Sequence, residues 1–151
     1  MARTEQAIFT VLVMVSDHDG RILVQDRVDP GWPGLCLPGG HVEPGEAFTT
    51  AAIQETWEET GLTIEDPRLC GVKQFQTDEN ARYLVFFYKA SRYHGQLRSS
   101  REGEVFWLRR EELENYRTVE DFSDMLRVFD EDALNEFYYY TDEDRWGLKL
   151  L

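Results

Sequence analysis

The alternation of apolar and polar positions along the chain predicts a strand-rich fold with one prominent helix ahead of its middle. Ala7–Val15 is an apolar run rich in Ile, Val and Phe, and an Ile-Leu-Val triplet lies inside Arg21–Asp26. Between them stands the turn-forming Asp17–Gly20, so the two segments are expected to pair as a hairpin. Four of the five prolines and the Gly39-Gly40 pair fall in Asp29–Gly45, which predicts an irregular loop holding a specific shape. No Gly or Pro interrupts Ala47–Thr60, and Gly61 follows where a left-handed C-cap is expected, so this segment is predicted helix. Leu69–Gln76, Ala81–Ala90 and Glu104–Leu108 have the content of strands, and Arg109–Asn115 turns helical. Asp121–Phe129 and Asp132–Tyr140 are expected as helices, and after polar Thr141–Arg145 the end Trp146–Leu151 packs back or frays.

Composition narrows the picture. At 151 residues, 42% hydrophobic and 13% aromatic, the chain fits one globular domain over 1–151, and no repeat or low-complexity linker marks a seam. Asp plus Glu number 29 against 16 Lys plus Arg, a net charge of −13, so the average surface repels polyanions. Nucleic-acid polymers and anionic membranes are therefore poor partners, whereas a small anion is still admissible if a metal ion and local arginines reverse the potential in one cleft. The run Ala7–Val15 is followed at once by charged residues without a small-residue cleavage site, and nothing approaches the ~20 apolar residues of a membrane span. A strand and a cytoplasmic location are expected. Cys36 and Cys70 match no metal-ligand spacing and read as ordinary thiols.

The chemistry is concentrated in Gly39-Gly40-His41-Val42-Glu43-Pro44-Gly45-Glu46 and in the helix end Gln54-Glu55-Thr56-Trp57-Glu58-Glu59-Thr60-Gly61-Leu62. At ~100° per residue, Glu55, Glu58 and Glu59 fall within an arc of about 100°. They are expected to share one outward face, with Ile53 and Trp57 on the core side. Like charges so placed repel, and a divalent cation would remove that cost; oxygen-only ligands favour Mg²⁺ or Mn²⁺ over zinc. Taken alone, such glutamates are as well explained as a solvated helix face.

The stretch resembles the Nudix box: Gly40, Glu46, Glu55, Glu58, Glu59, Gly61 and Leu62 occupy the box positions with correct spacing over 23 residues, and Leu37-Pro38-Gly39 suits its usual entry. Two positions depart from the pattern. Gln54 replaces the family's arginine and Thr56 its aliphatic residue; Gln keeps a hydrogen bond but loses the charge, which a nearby arginine such as Arg101 could supply. The resemblance implies an α/β (α+β) fold, an α/β/α sandwich with a mixed sheet and the loop-helix. It also implies Mg²⁺ or Mn²⁺ held by Glu55, Glu58, Glu59, the Gly40 carbonyl and a later glutamate, with Glu46 supporting the loop. Glu102 is favoured for that later ligand over Glu104, which could equally face outward.

Glu55, Glu58 and Glu102 are candidate general bases for cleaving a nucleoside diphosphate derivative. Arg27 is the candidate phosphate contact, and Trp32 and Tyr83, with Phe75 and Phe87, are candidate stacking residues. The resemblance implies a small nucleotide as partner and a monomer or homodimer, to which the aromatic Asn135–Tyr140 could contribute. Within the enzyme class, a MutT-like pyrophosphatase of oxidised nucleoside triphosphates stands beside ADP-ribose, nucleotide-sugar and dinucleoside polyphosphate hydrolases. Outside it, a catalytically weak nucleotide- or protein-binding module is open, whereas a cation-binding loop of the EF-hand kind is absent from the sequence.

Overall fold

The computed structural model describes residues 2–151. In chain order the strands are β1 (Ala7–Val15), β2 (Ile22–Arg27), β3 (Gly34–Cys36), β4 (Gly39–His41), β5 (Leu62–Glu65), β6 (Arg68–Gln76), β7 (Arg82–Ala90), β8 (Arg92–Gly95), β9 (Gly103–Leu108), β10 (Glu136–Asp142) and β11 (Arg145–Leu150). Helices α1 (Phe48–Thr60) and α2 (Phe122–Asp130) and a 3-10 segment at Arg110–Asn115 complete them. From Thr10 onward every residue of β1 is buried, which is why its sequence is a run and not an alternation. Leu12 and Met14 enter one apolar cluster; Val11, Val13 and Val15 enter the other. Helix α2 joins the first cluster and α1 the second, so they lie on opposite faces of the sheet containing β1. The expected α/β/α sandwich follows.

That sheet has six strands in the order β11-β10-β6-β7-β1-β4 and is mixed: β1 runs parallel to β7 and β6 parallel to β10. A second, antiparallel sheet is ordered β3-β2-β9, and β5 pairs with β8. Segments 7–15, 21–26, 69–76, 81–90 and 104–108 are strands as expected to within a residue, and the helical segments expected at 47–60, 109–115 and 121–129 are each shifted by a residue at most.

Four expectations need correction. The hairpin at Asp17–Gly20 is limited to a single bridge, Ser16 to Ile22, after which β1 and β2 join different sheets. Both edges of β1 are taken, by β7 and β4, so β2 finds its partners in β3 and β9. The loop Asp29–Gly45 holds the short β3 and β4, which are too brief to show a period. None of Asp132–Tyr140 is helix and its second half is strand β10, because Phe137 and Tyr139 pack on the larger cluster while Tyr138 and Tyr140 pair with each other, a period of two. Glu143 and Asp144, at φ of 48° and 65°, make the tight turn into β11, so the chain end packs back. Finally, Trp57 is 45% exposed and lies under the Arg98 guanidinium, whereas Ala51, Ala52, Thr56 and Thr60 form the buried side of α1. Small residues there let the helix approach the sheet closely, and the buried Thr56 hydroxyl donates to the Ala52 carbonyl at 2.8 Å.

Gly61 ends α1 at φ 79°, and an added Cβ would lie 2.3 Å from the Gln96 carbonyl oxygen. Gly61→Ala is therefore expected to lower the unfolding free energy by about 2 kcal/mol, from left-handed strain plus forced displacement of β8's neighbour. Urea titration measures this; an unchanged midpoint would contradict the tight helix end.

Candidate active site

Pairing of β1 with β4 sets Val11 opposite Gly40, and α1 packs across β4. Glu59 is thereby turned inward, 6% exposed, and its carboxylate accepts the Gly39 N–H at 3.1 Å. Glu55 lies over Gly40 so closely that a Cβ there would stand 2.2 Å from its Oε2. Only glycine permits that approach. Glu102 comes from the Ser100–Gly103 turn, and the register of Arg27 opposite Gly103 brings it beside the end of β2. Glu55, Glu59, Glu102, Gly40 and Arg27 line one cleft of about 920 Å³.

Glu58 is placed differently. It is exposed, lies outside the cleft lining and accepts Gln54 Nε2 at 2.9 Å, so the three helix glutamates do not share an outward face as expected. Glu46 accepts the Glu43 N–H at 3.0 Å and closes the loop. Glu104 is exposed opposite Asp26 and does not line the cleft. Arg101 makes no ion pair among the described residues; instead Arg98 donates to the Trp57 and Glu58 carbonyls at the end of α1, each at 3.4 Å.

The rest of the cleft is aromatic. Arg27 Nε donates to the Trp32 carbonyl at 3.0 Å while its guanidinium lies 4.9 Å from the Trp32 ring centre. Tyr83 stacks on Phe75 at 5.0 Å and 10°, and both line the cleft. Phe87 does not: it is fully buried and stacked on Phe129. Sequence reasoning passed over Lys73, Glu120, Tyr139 and Trp146, which also line the cleft. The signal for Lys73 was a charged residue two positions before Phe75 on the same side of a strand; Tyr139 and Trp146 were hidden by the helix assigned to 132–140.

Burial pushes the Glu55 carboxyl up to about 7, aided by the charges of Glu58, Glu46, Glu102 and Glu43. Burial pushes Glu59 up to about 8, with Glu55 and Glu102 adding to it and the Gly39 N–H and Arg27 opposing. The acidic end of the cleft thus disfavours negative charge, and its carboxyls hold protons more readily than ordinary glutamates until a cation joins them.

The Nudix domain model matches residues 8–129. The chain belongs to the Nudix family. It is 33% identical over 98 residues to an uncharacterised Nudix hydrolase of Bacillus subtilis, covering 62% of this chain and 61% of that one. To a MutT-like protein of Streptomyces ambofaciens it is 39% identical over 106 residues, covering 69% of this chain and 65% of the relative. The match thus spans less than two thirds of either relative. The crystal structure of a mutator MutT protein from Bacillus halodurans superposes with a TM-score of 0.73 at 26% identity, covering 95% of this chain and 97% of that one.

Nudix hydrolases generally use divalent metal ions, and the donor set suits a hard cation: the Glu55, Glu59 and Glu102 carboxylates and the Gly40 carbonyl are all oxygen. Among the described residues no three acidic, His or Cys side chains already converge on one point. Closing the set requires rotation of the long glutamate side chains.

A carboxyl raised in the folded state contributes stability fully below its unfolded value, and that contribution is lost as pH rises through the folded value. For Glu55 and Glu59 the window runs from the ordinary carboxyl value of 4.5 up through about 7 and about 8. Chelator-treated protein is expected to melt at lower temperature at pH 8.5 than at pH 6, with the difference reduced in Glu55→Gln/Glu59→Gln. Calorimetry in metal-free buffer checks this; equal pH slopes for both proteins would refute the assignment.

Proposed function

We propose that this chain is a metal-dependent hydrolase that cleaves the diphosphate linkage of a nucleoside diphosphate derivative, with a MutT-like nucleoside triphosphate pyrophosphatase as the leading form. Family membership supports phosphoric anhydride hydrolysis. The observation that carries the reading is that Glu55, Glu59, Glu102 and Gly40 line one cleft with an arginine and flat aromatic walls, where burial and mutual repulsion raise the Glu55 and Glu59 carboxyls. A polyanion and stacked rings call for those two kinds of surface.

Glu55, Glu59, Glu102 and the Gly40 carbonyl would hold Mg²⁺ or Mn²⁺, which supplies charge neutralisation of the diphosphate oxygens and a more acidic water. Arg27 orients a phosphate from the end of β2, its guanidinium already fixed by the Trp32 carbonyl. Of the candidate bases, Glu55 and Glu102 line the cleft and Glu58 does not, so proton removal from the attacking water falls to one of the first two. Trp32 and Tyr83 belong to the walls that take the base. The MutT-like relatives favour a nucleoside triphosphate over ADP-ribose or a nucleotide sugar. One domain over 1–151 acting as a monomer or homodimer in the cytoplasm completes the proposal.

Against a panel of nucleoside triphosphates, ADP-ribose and nucleotide sugars with Mg²⁺, release of pyrophosphate or phosphorylated product is expected, abolished by chelation. Glu59→Gln is expected to lower kcat by roughly a hundredfold or more while leaving the fold intact, since it resembles the protonated carboxyl the buried site favours. Tight binding without turnover of any panel member would favour the binding-module reading.

A further inference from the structure

The cleft contains a cation that the glutamate end does not use. Lys73, on β6, is 7% exposed and lines the cleft. Among the described residues its ammonium has one hydrogen-bond partner, Met125 Sδ at 3.7 Å, and no carboxylate within ion-pair distance. Around it stand the rings of Phe137 and Tyr139 at 5.1 Å, Trp32 at 5.3 Å and Phe75 at 6.0 Å. Such π faces offset part of the cost of burying an ammonium, but they do not satisfy three N–H donors, and a thioether is a weak acceptor.

The surroundings confirm that no counter-charge is held ready. Burial keeps the Lys73 amine below its ordinary range, and the strongest opposing influence is Cys36, a thiol that burial itself pushes up to about 12. Asp121 is engaged by the Tyr139 hydroxyl, and Glu120 is exposed at the rim. The groups acting on Lys73 are Cys36, Asp121 and Glu120, whereas those acting on Glu55 and Glu59 are the other cleft glutamates and Arg27. Lys73 stands on β6 and the glutamates against β4, with β7 and β1 between them in the sheet, so the ammonium and the acidic cluster mark two ends of one cleft.

We infer that Lys73 reads the nucleobase, donating a hydrogen bond to a keto oxygen on the outer edge of the ring and so selecting keto bases over amino bases. This rests on the nucleotide reading above. With the diphosphate at the glutamate end, the flat group falls among Trp32, the Phe75–Tyr83 stack and Tyr139, walls of the kind on which bases stack. An ammonium only donates. A keto oxygen of the inosine, guanosine or uridine kind satisfies it, as lysines do at guanine O6 in other settings. An exocyclic amino group of the adenosine or cytidine kind sets donor against donor in a site that water leaves, and both stay unpaired.

The test uses two substrate pairs that differ at that edge, inosine against adenosine triphosphate and uridine against cytidine triphosphate, with Lys73→Met as the variant. Methionine is unbranched like lysine, only one atom shorter, and removes a buried charge, so thermal stability is expected to hold or rise. In the wild type the keto member is expected to have about tenfold or greater advantage in kcat/KM, carried by KM, and in Lys73→Met the ratio is expected to fall about tenfold. Calorimetric binding of inosine and adenosine monophosphates reads the same ratio without catalysis. An equal or amino-favouring ratio in the wild type, or a ratio untouched by Lys73→Met, overturns the inference. Turnover without base preference sinks the inference and spares the hydrolase reading; Lys73-dependent binding of the keto monophosphate without turnover does the reverse; neither binding nor turnover overturns both.

Discussion

Strand β1 has no free side: its faces are covered by two apolar clusters and its edges are occupied by β7 and β4. The position of the loop glycines follows from this, because β4 is hydrogen-bonded to a strand that cannot shift without opening both clusters. With Gly40 held, α1 can descend until Ala51 and Ala52 are buried and Glu55 touches the glycine backbone. The packing that buries the alanines also buries Glu59, which receives one backbone N–H in return. A carboxylate so placed is unfavourable for folding. It stands against the strand pair β1–β4, so the backbone around it is set by the sheet beneath.

The cleft joins two kinds of incomplete electrostatics. At one end carboxylates crowd without a cation, and at the other an ammonium sits among aromatic rings without an anion. Had the two ends been adjacent, Lys73 would have neutralised the glutamates and both would be inert; β7 and β1 lie between β6, which carries Lys73, and β4, against which Glu55 and Glu59 pack. On the reading proposed above, one substrate completes both ends, its phosphates with a metal at the glutamates and its base at the lysine. The cost of burying each unpaired group is then recovered on binding, which favours ligands that satisfy both.

What the sequence revealed depended on how local the cause was. The loop-helix was legible because its spacing is fixed by residues close in the chain: Gly40 under Glu55, and Gly61 at the end of α1. The strands β1, β6, β7 and β9 showed their apolar content. The orientation of α1 was not legible from its largest apolar residue, since a helix lying close on a sheet buries small side chains and leaves Trp57 outside. Nor was β10, where acidic residues around the tyrosines imitate a surface helix until the partner β11 is in place. The aromatic end of the cleft draws on β6, β7, β10 and β11, and a site assembled from separate strands has no spacing to read.

The departure at Gln54 looks different once α1 is oriented. In the family pattern an arginine at this position brings positive charge to the box, so its loss would be expected to weaken the glutamates. Gln54 is exposed, however, and its amide meets Glu58, which also lies outside the cleft lining. The positive group acting on Glu59 is Arg27, across the cleft on β2. Charge lost on the outer side of the helix is screened by solvent, whereas a charge acting through the partly dry cleft is not. Moderating Glu59 therefore falls on Arg27, whose guanidinium is held by the Trp32 carbonyl, and on the reading proposed above so does orienting phosphate. The Trp32 ring in turn has both that arginine and the Lys73 ammonium close to it, so one side chain links the arginine to the lysine, which on the reading proposed above are the phosphate and base contacts.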